Sequence, residues 1–356
     1  MADESMVNQG TTGAKKARPK ARRKPAATSG LITKRKFGVA NITVVGVGGG
    51  GCNTVQRLLQ ERPTGVNFVC LNTDARALQT LQGDGLIVLP IGESLTRGFG
   101  AGGNPQVGEQ AAASGRKALK QVLSGSDIVF ICSGLGGGTG TGAGPVVAEI
   151  AKSVGATTVA MVTLPFSWEG HKRMETAMGG LGRLREKVDN LILIHNDRIA
   201  QLVKADTLMQ EAFKAADSAV SEGILVVSEI VNTAGDINVD LADIRAILAM
   251  PGNALMSIGM GAGFTGARDA AESAIKNPLL DLSVKGARGV LFTIKGGQKL
   301  TLGQVNAAGK VISEAVDPEA TIFFGMSMKP EMGENVKITV IATGIPDSPK
   351  ISKPAQ

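Results

Sequence analysis

The chain has 356 residues, 43% of them apolar, with 48 glycines, three cysteines and two histidines. That length can bury cores for two domains. No apolar run approaches the ~20 residues of a membrane-spanning helix, the N-terminus lacks a secretory-type apolar segment, and two histidines are too few for a histidine-built metal site. The three cysteines lack metal-ligand spacing and read as reduced thiols of a cytoplasmic protein. The net charge of +7 belongs to one end: residues 1–36 hold ten Lys/Arg against two acids, and the rest hold 28 against 29. A Pro-, Ala- and Lys/Arg-rich tail of this kind cannot bury apolar surface and is expected to be disordered over residues 1–38.

Order is expected from Val39. Asn41 to Val47 reads as a buried strand, followed by a glycine loop and a helix from Asn53 to Gln60. Strands follow at Asn67 to Leu71 and Leu86 to Leu89. Pro105 opens a helix from Gln106 to Leu123. Strands at Asp127 to Ile131 and Thr158 to Leu164 flank a second glycine run and a helix from Val146 to Val154. A helix from Glu169 to Lys187 and a strand from Leu191 to His195 complete the alternation, which indicates an α/β, doubly wound parallel sheet over residues 39–205. Residues 206–232 then carry Leu208, Phe213, Val220, Ile224, Val227 and Val231 among charges with no proline. This predicts one long central helix of about seven turns. Beyond it, Leu241 to Met250 and Thr301 to Ala315 read as helices. Ala254 to Gly261, Gly289 to Ile294, Thr321 to Met328 and Lys337 to Thr343 read as strands. Residues 233–344 are therefore expected to form a smaller α+β domain, with 345–356 a short loose end.

The glycines concentrate at strand-to-helix junctions. Gly136-Gly137-Gly138-Thr139-Gly140-Thr141-Gly142 follows one strand and leads into a helix. Glycines let backbone N–H groups surround a phosphate, and the helix N-terminus adds partial positive charge. The competing reading is a flexible turn. Gly46-Val47-Gly48-Gly49-Gly50-Gly51 is a second such junction and fits the dinucleotide fingerprint. With Asn72-Thr73-Asp74 near the end of the next strand, this half alone leaves an NAD-dependent oxidoreductase open. A third loop, Gly98 to Pro105, also leads into a helix. Three phosphate-type loops on one sheet edge suit a triphosphate better than a pyrophosphate between two nucleosides. The GxxxxGK[ST] motif of P-loop proteins is absent.

GGGTGTG, with GVGGGGCN before it and NVDLADIR after it, resembles the tubulin/FtsZ family, closest to its bacterial cell-division type. NTD, GAGGNP, PFSWEGHKR, HND and GARGVL extend the resemblance over Asn41 to Gly344. The resemblance implies a GTPase that binds GTP/GDP on its N-terminal domain and polymerises head to tail into protofilaments. Mg2+ would accompany the triphosphate, with a monovalent cation as an optional second ion.

Matched position by position, Gly48, Gly49, Gly50, Gly51, Cys52 and Asn53 resemble the first phosphate loop. Asn72 and Asp74 belong to the next loop, and Gly100, Ala101, Gly102, Gly103 and Asn104 to the one after. Gly136, Gly137, Gly138, Thr139, Gly140, Thr141 and Gly142 resemble the main phosphate loop. Glu169 and Arg173 match ribose contacts. Asn196, Phe213 and Asp217 match the residues that read and stack on guanine, although Asp217 taken alone reads as a solvated helix carboxylate. Asn238, Asp240 and Asp243 match a loop that completes the neighbouring subunit's site. From spacing alone, the two aspartates read as a helix N-cap and a first-turn acid.

His195 stands where bacterial members usually have proline, and reads as a local packing variation. The C-terminal SPKISKPAQ does not resemble the family's adaptor-binding peptide. The expected partners are a second copy of the chain, a second homologue, and an anionic membrane surface or adaptor reached by the basic tail, with DNA as the weaker option. The alternative function is an assembly partner that hydrolyses little GTP. The location implied is cytoplasmic, at the division site.

Overall fold

The computed structural model describes residues 39–198, 208–232, 240–276 and 283–346. The basic tail, Asn238 and the C-terminal end beyond residue 346 lie outside these. β1 (Ile42–Val47) leads into α1 (Gly48–Glu61), then β2 (Val66–Asn72), α2 (Ala75–Gln79), β3 (Leu86–Pro90) and α3 (Glu93–Thr96). Next come α4 (Pro105–Ser114), α5 (Arg116–Leu123), β4 (Ile128–Gly134), α6 (Gly138–Ser153), β5 (Thr157–Leu164), α7 (His171–Arg185) and β6 (Asn190–His195). These six strands are parallel in the order β3-β2-β1-β4-β5-β6. Their residues are apolar on both faces, as a sheet covered by helices on each side requires. Ile42, Val44, Ile128 and Phe130 face α1, while Val45, Val47, Val129 and Ile131 face α4–α7.

α8 (Met209–Asn232) follows, then α9 (Leu241–Leu248), β7 (Asn253–Ala262), α10 (Gly266–Ile275), β8 (Gly289–Gly296), α11 (Leu302–Ala315), β9 (Thr321–Met328) and β10 (Asn335–Ile345). β10 runs antiparallel between β7 and β8, and β9 lies parallel to β8. This second sheet joins the first through one pairing, Ile192 with Ala254. α8 seals the joint: its Val220, Ile224, Val227 and Ile230 share a core with Phe130 and Met161 of the first sheet and with Leu291 and Ile341 of the second. Lys295 of β8 bonds Glu229 (3.0 Å) and Glu222 (3.5 Å) of α8, and Lys337 of β10 bonds Glu222. Burial alone would lower the Lys295 pKa, but the two carboxylates outweigh it and hold it above the usual lysine value.

The structure differs from the sequence expectation in several places, and α2 and α3 have no counterpart in that expectation. The single helix expected from Gln106 to Leu123 is two, broken at Gly115, which ends α4 and starts α5. A β-carbon there would come within 3.3 Å of Ile91 Cγ2. α1 and α6 begin inside their glycine runs, at Gly48 and Gly138, and not after them. α10 was not expected, because its buried face is Ala267, Ala270, Ala271 and Ala274 and shows no large apolar periodicity. It packs directly on Gly259 and Gly261 of β7, where β-carbons would overlap the carbonyls of Ala270 and Gly266. Lastly, β10 runs on to a buried Ile345, past the expected end at Thr343.

Candidate nucleotide site

β1 and β4 adjoin where the strand order reverses, and the helices that follow them leave to opposite faces. Such a switch point opens a crevice at the carboxyl ends of the strands. Here it is a cleft of about 710 Å3. Its floor is the start of α1 (Gly48, Gly49, Gly50) and the start of α6 (Gly137, Gly138, Thr139, Gly140), with Gly100, Ala101, Gly102 and Gly103 as one wall. Gly48 sits at φ +72°, a backbone region costly for other residues. Side chains at Gly49, Gly102, Gly103 and Gly137 would meet nothing within 4 Å, so these backbones face open space.

Neither α1 nor α6 carries a side-chain cap at its N-terminus. Asp74 caps α2, Asn104 caps α4 and Asp240 caps α9, while α3, α5, α7 and α10 lack a side-chain cap as well. The first-turn N–H groups of an uncapped helix need an outside acceptor, and an anion supplies one.

Glu169 and Arg173, paired at 3.0 Å, also line the cleft. Glu169 Oε1 also accepts from the Phe166 N–H at 2.8 Å. Asn53, Asn196, Phe213 and Asp217 line the cleft too. Phe213 lies edge-on to Phe166 at 5.2 Å, and Phe166 stacks on Trp168 at 5.3 Å. Asn196 is buried, and its Oδ1 has no hydrogen-bond donor among the described residues. An acceptor so placed calls for a ligand donor or an ordered water. Asp217 reaches the cleft from α8 and is bonded from α1, by the Thr54 hydroxyl at 3.2 Å and Arg57 at 3.4 Å. Burial raises its carboxyl to about 6 against the opposing pull of Arg57 and Thr54.

The Tubulin/FtsZ family GTPase domain matches residues 41–204, and the FtsZ family C-terminal domain matches residues 252–346. An FtsZ dimer from M. jannaschii is similar at 42% identity, covering 86% of this chain and 88% of that one, with a TM-score of 0.81. The chain belongs to the tubulin/FtsZ family. CetZ1 from Haloferax volcanii, a GDP-bound monomer, shares the fold at 22% identity, with a TM-score of 0.70 over 87% of this chain and 96% of that one. The tubulin/FtsZ family comprises cytoskeletal GTPases that bind GTP and GDP and associate with themselves. An NAD-dependent oxidoreductase is accordingly not favoured.

In this FtsZ-family chain, the open glycine backbones, the uncapped helix N-termini on the cleft floor and the Asn196 Oδ1 without a donor fit a nucleotide bearing several phosphates and a base. Six of the residues matched to phosphate loops do not line the cleft but stand behind it. A β-carbon on Gly51 would overlap the Cys132 carbonyl, and one on Gly142 the Pro105 carbonyl. Cys52 is buried, its thiol directed at the carbonyls of Gly46 and Leu71. Its thiol pKa is pushed up by a hydrogen bond with Cys70 and by burial. Asn104 caps α4, and the Thr141 hydroxyl accepts from the Gly136 N–H at 2.9 Å. These residues let the loops pack close enough to form the floor.

Sequence reasoning overlooked Gly134, Leu135, Thr163, Pro165, Ala77 and Phe99, which also line the cleft. Gly134 pairs in register with Thr163, so β5 was a legible neighbour once β4 was placed. It also overlooked Thr54 and Arg57, whose contact with Asp217 spans about 160 residues of chain and leaves no local signal.

Asp240 and Asp243 are absent from the cleft. Asp240 accepts from the Ala242 N–H at 3.1 Å, and both aspartates are exposed. Arg245 of α9 bonds Thr157 Oγ1 (2.9 Å) and the Gly155 carbonyl (3.1 Å), at the amino end of β5. The far end of α8 is fixed there too, because Asn232 bonds the Ala40 N–H and the Thr64 carbonyl. α9 thus lies at the amino edge of the sheet and the cleft at its carboxyl edge, roughly 20 Å apart for six-residue strands. Asn238 falls outside the described residues.

Proposed function

We propose that this chain binds GTP in the cleft, polymerises head to tail, and hydrolyses GTP where one subunit's Asn238, Asp240 and Asp243 meet the next subunit's cleft, in cell division. The α1 and α6 N-termini take the phosphates, Glu169 and Arg173 the ribose, and Asn196, Phe213 and Asp217 the guanine. Gly136, Thr141, Gly142, Gly51, Cys52 and Asn104 support the floor from behind. Bound with the triphosphate, Mg2+ would spread the charge of the transferred group.

The observation that carries the reading is the separation of the two halves of the site. The carboxylates lining the cleft are already engaged: Glu169 by Arg173, Asp217 by Arg57 and Thr54, and Asp74 as a helix cap. The exposed pair Asp240 and Asp243 stands on the opposite edge. Subunits stacked edge to edge would bring that pair to a neighbour's phosphates, where it can orient water. The division of the chain into a nucleotide domain (39–205), a linking helix (206–232) and an α+β domain (233–344) follows the same logic: one unit binds and the other activates.

Light scattering and phosphate release on adding GTP to the purified protein test this reading. Both should rise together above a threshold protein concentration. Phosphate release proportional to protein at all concentrations, without scattering, would overturn it.

The basic tail is proposed to hold filaments to anionic membrane, at about 1 kcal/mol per basic residue near the surface. Filaments should pellet with anionic liposomes at low salt, and deletion of residues 1–36 should abolish this without changing GTPase activity. Pelleting by the deleted form would show that the tail is not the anchor.

A further inference from the structure

α1 serves the cleft twice. Its first turn forms part of the floor, and three residues beyond Gly51 the Thr54 hydroxyl faces two acceptors, the Gly50 carbonyl at 3.3 Å and Asp217 Oδ1 at 3.2 Å. One turn further, Arg57 meets Asp217 Oδ2 at 3.4 Å. Both partners come from one rigid helix, and each takes one carboxylate oxygen. A carboxylate oxygen has two acceptor sites, so a lone pair on each remains for the ligand.

We infer that Thr54 and Arg57 are positioning residues that set the preference for guanine over adenine by holding Asp217 as an oriented double acceptor. The inference rests on the assignment of Asp217 to the base. Guanine presents two adjacent donors, N1–H and the 2-amino group, which match two carboxylate oxygens. Adenine presents an acceptor, N1, beside its 6-amino donor. That pattern matches a protonated carboxyl, which offers one O–H and one acceptor. The protonation state of one side chain therefore decides which purine fits.

The environment makes this a close contest. Burial favours the neutral carboxyl and raises it to about 6, while Arg57 and Thr54 pull it toward the charged form. From β4 the Cys132 thiol also feels Asp217, and burial keeps that thiol neutral. On the helix of Asp217 itself, Lys214 is exposed, and the Ser221 hydroxyl bonds the Asp217 main-chain carbonyl at 2.9 Å. Arg57 is the cation in direct contact. An opposite charge at this range lowers a carboxyl by about one to three units, and each unit changes the ratio of charged to neutral form tenfold.

The test measures GDP and ADP binding to the full chain from pH 5.5 to 8, by competition with a fluorescent GDP. The wild type should prefer GDP, with GDP affinity falling below pH 6. Arg57→Met should move that midpoint up by about one unit and lower the GDP-to-ADP preference at pH 7 about tenfold. Arg57→Lys should restore both. A folded Arg57→Met with the wild-type midpoint and preference overturns the inference. If Arg57→Met does not fold, Thr54→Val decides: a reduced GDP-to-ADP preference supports the inference, and an unchanged preference overturns it. A wild type with no GDP preference would instead sink the assignment of Asp217 to the base, and the inference with it.

Discussion

Asp217 pays for its place in the cleft with stability. Its folded pKa of about 6 lies above the unfolded value of ~3.9. Between these values the folded chain holds the proton more tightly than the unfolded one. The favourable contribution is complete below about pH 4 and is lost as pH rises through 6. At pH 7.5 the charged carboxylate is a net cost in the nucleotide-free protein. Asp217→Asn should therefore raise the stability of the nucleotide-free protein at pH 7.5, by up to about 3 kcal/mol. The gain should shrink to near zero at pH 4, while guanine nucleotide affinity falls. Urea unfolding at the two pH values checks this. A loss of stability at pH 7.5 would show that the bonds to Arg57 and Thr54 outweigh the cost of burial.

At the scale of elements, the site depends on helices that start inside glycine runs. α6 crosses α4 so closely that Gly142 touches the Pro105 carbonyl and Gly108 the Gly138 carbonyl. Gly142→Ala forces these backbones apart. It should cost at least the 1–3 kcal/mol typical of overpacking, and nucleotide affinity should fall with stability. Wild-type affinity in a folded Gly142→Ala would show that the floor tolerates the shift. α8 is held differently, by charge. Lys295 is buried between Glu222 and Glu229. Lys295→Met should destabilise by about 1.5–3 kcal/mol, because Glu229 loses its cation while Glu222 keeps Lys337. Denaturant unfolding reads this directly. A neutral result would assign the joint between the sheets to the shared apolar core alone.

At the scale of the whole molecule, the distance between α9 and the cleft would, on the proposed function, separate binding from turnover. Asp243→Ala should leave GTP affinity within about twofold of wild type and reduce phosphate release by at least about 100-fold, an effect of the size expected for lost transition-state stabilisation. Mixed with a chain disabled in the cleft but intact at α9, it should regain activity. Co-assembly of the two without any regained phosphate release would contradict catalysis between subunits.

The doubly wound sheet, the long central helix and the glycine junctions were legible in the sequence, because each rests on local pattern. β-branched runs such as Ile42–Val47 read as buried strands, and glycine runs between strand and helix read as anion sites. Pattern failed where small residues carry the packing. α10 buries alanines against strand glycines, and α4 breaks from α5 at Gly115, where backbone proximity matters more than side-chain period. Phe213 is 39% exposed, because that end of α8 reaches the cleft. By itself the sequence determined the fold class, the family resemblance and most of the residues around the cleft. Only the tertiary structure decided which glycines face the cleft and which pack behind it, that Thr54 and Arg57 hold Asp217, and that Asp240 and Asp243 stand at the opposite edge. The physical reason is that these are relations between elements far apart in the chain. Close approach, shared charge and burial are fixed by packing, and no local spacing records them.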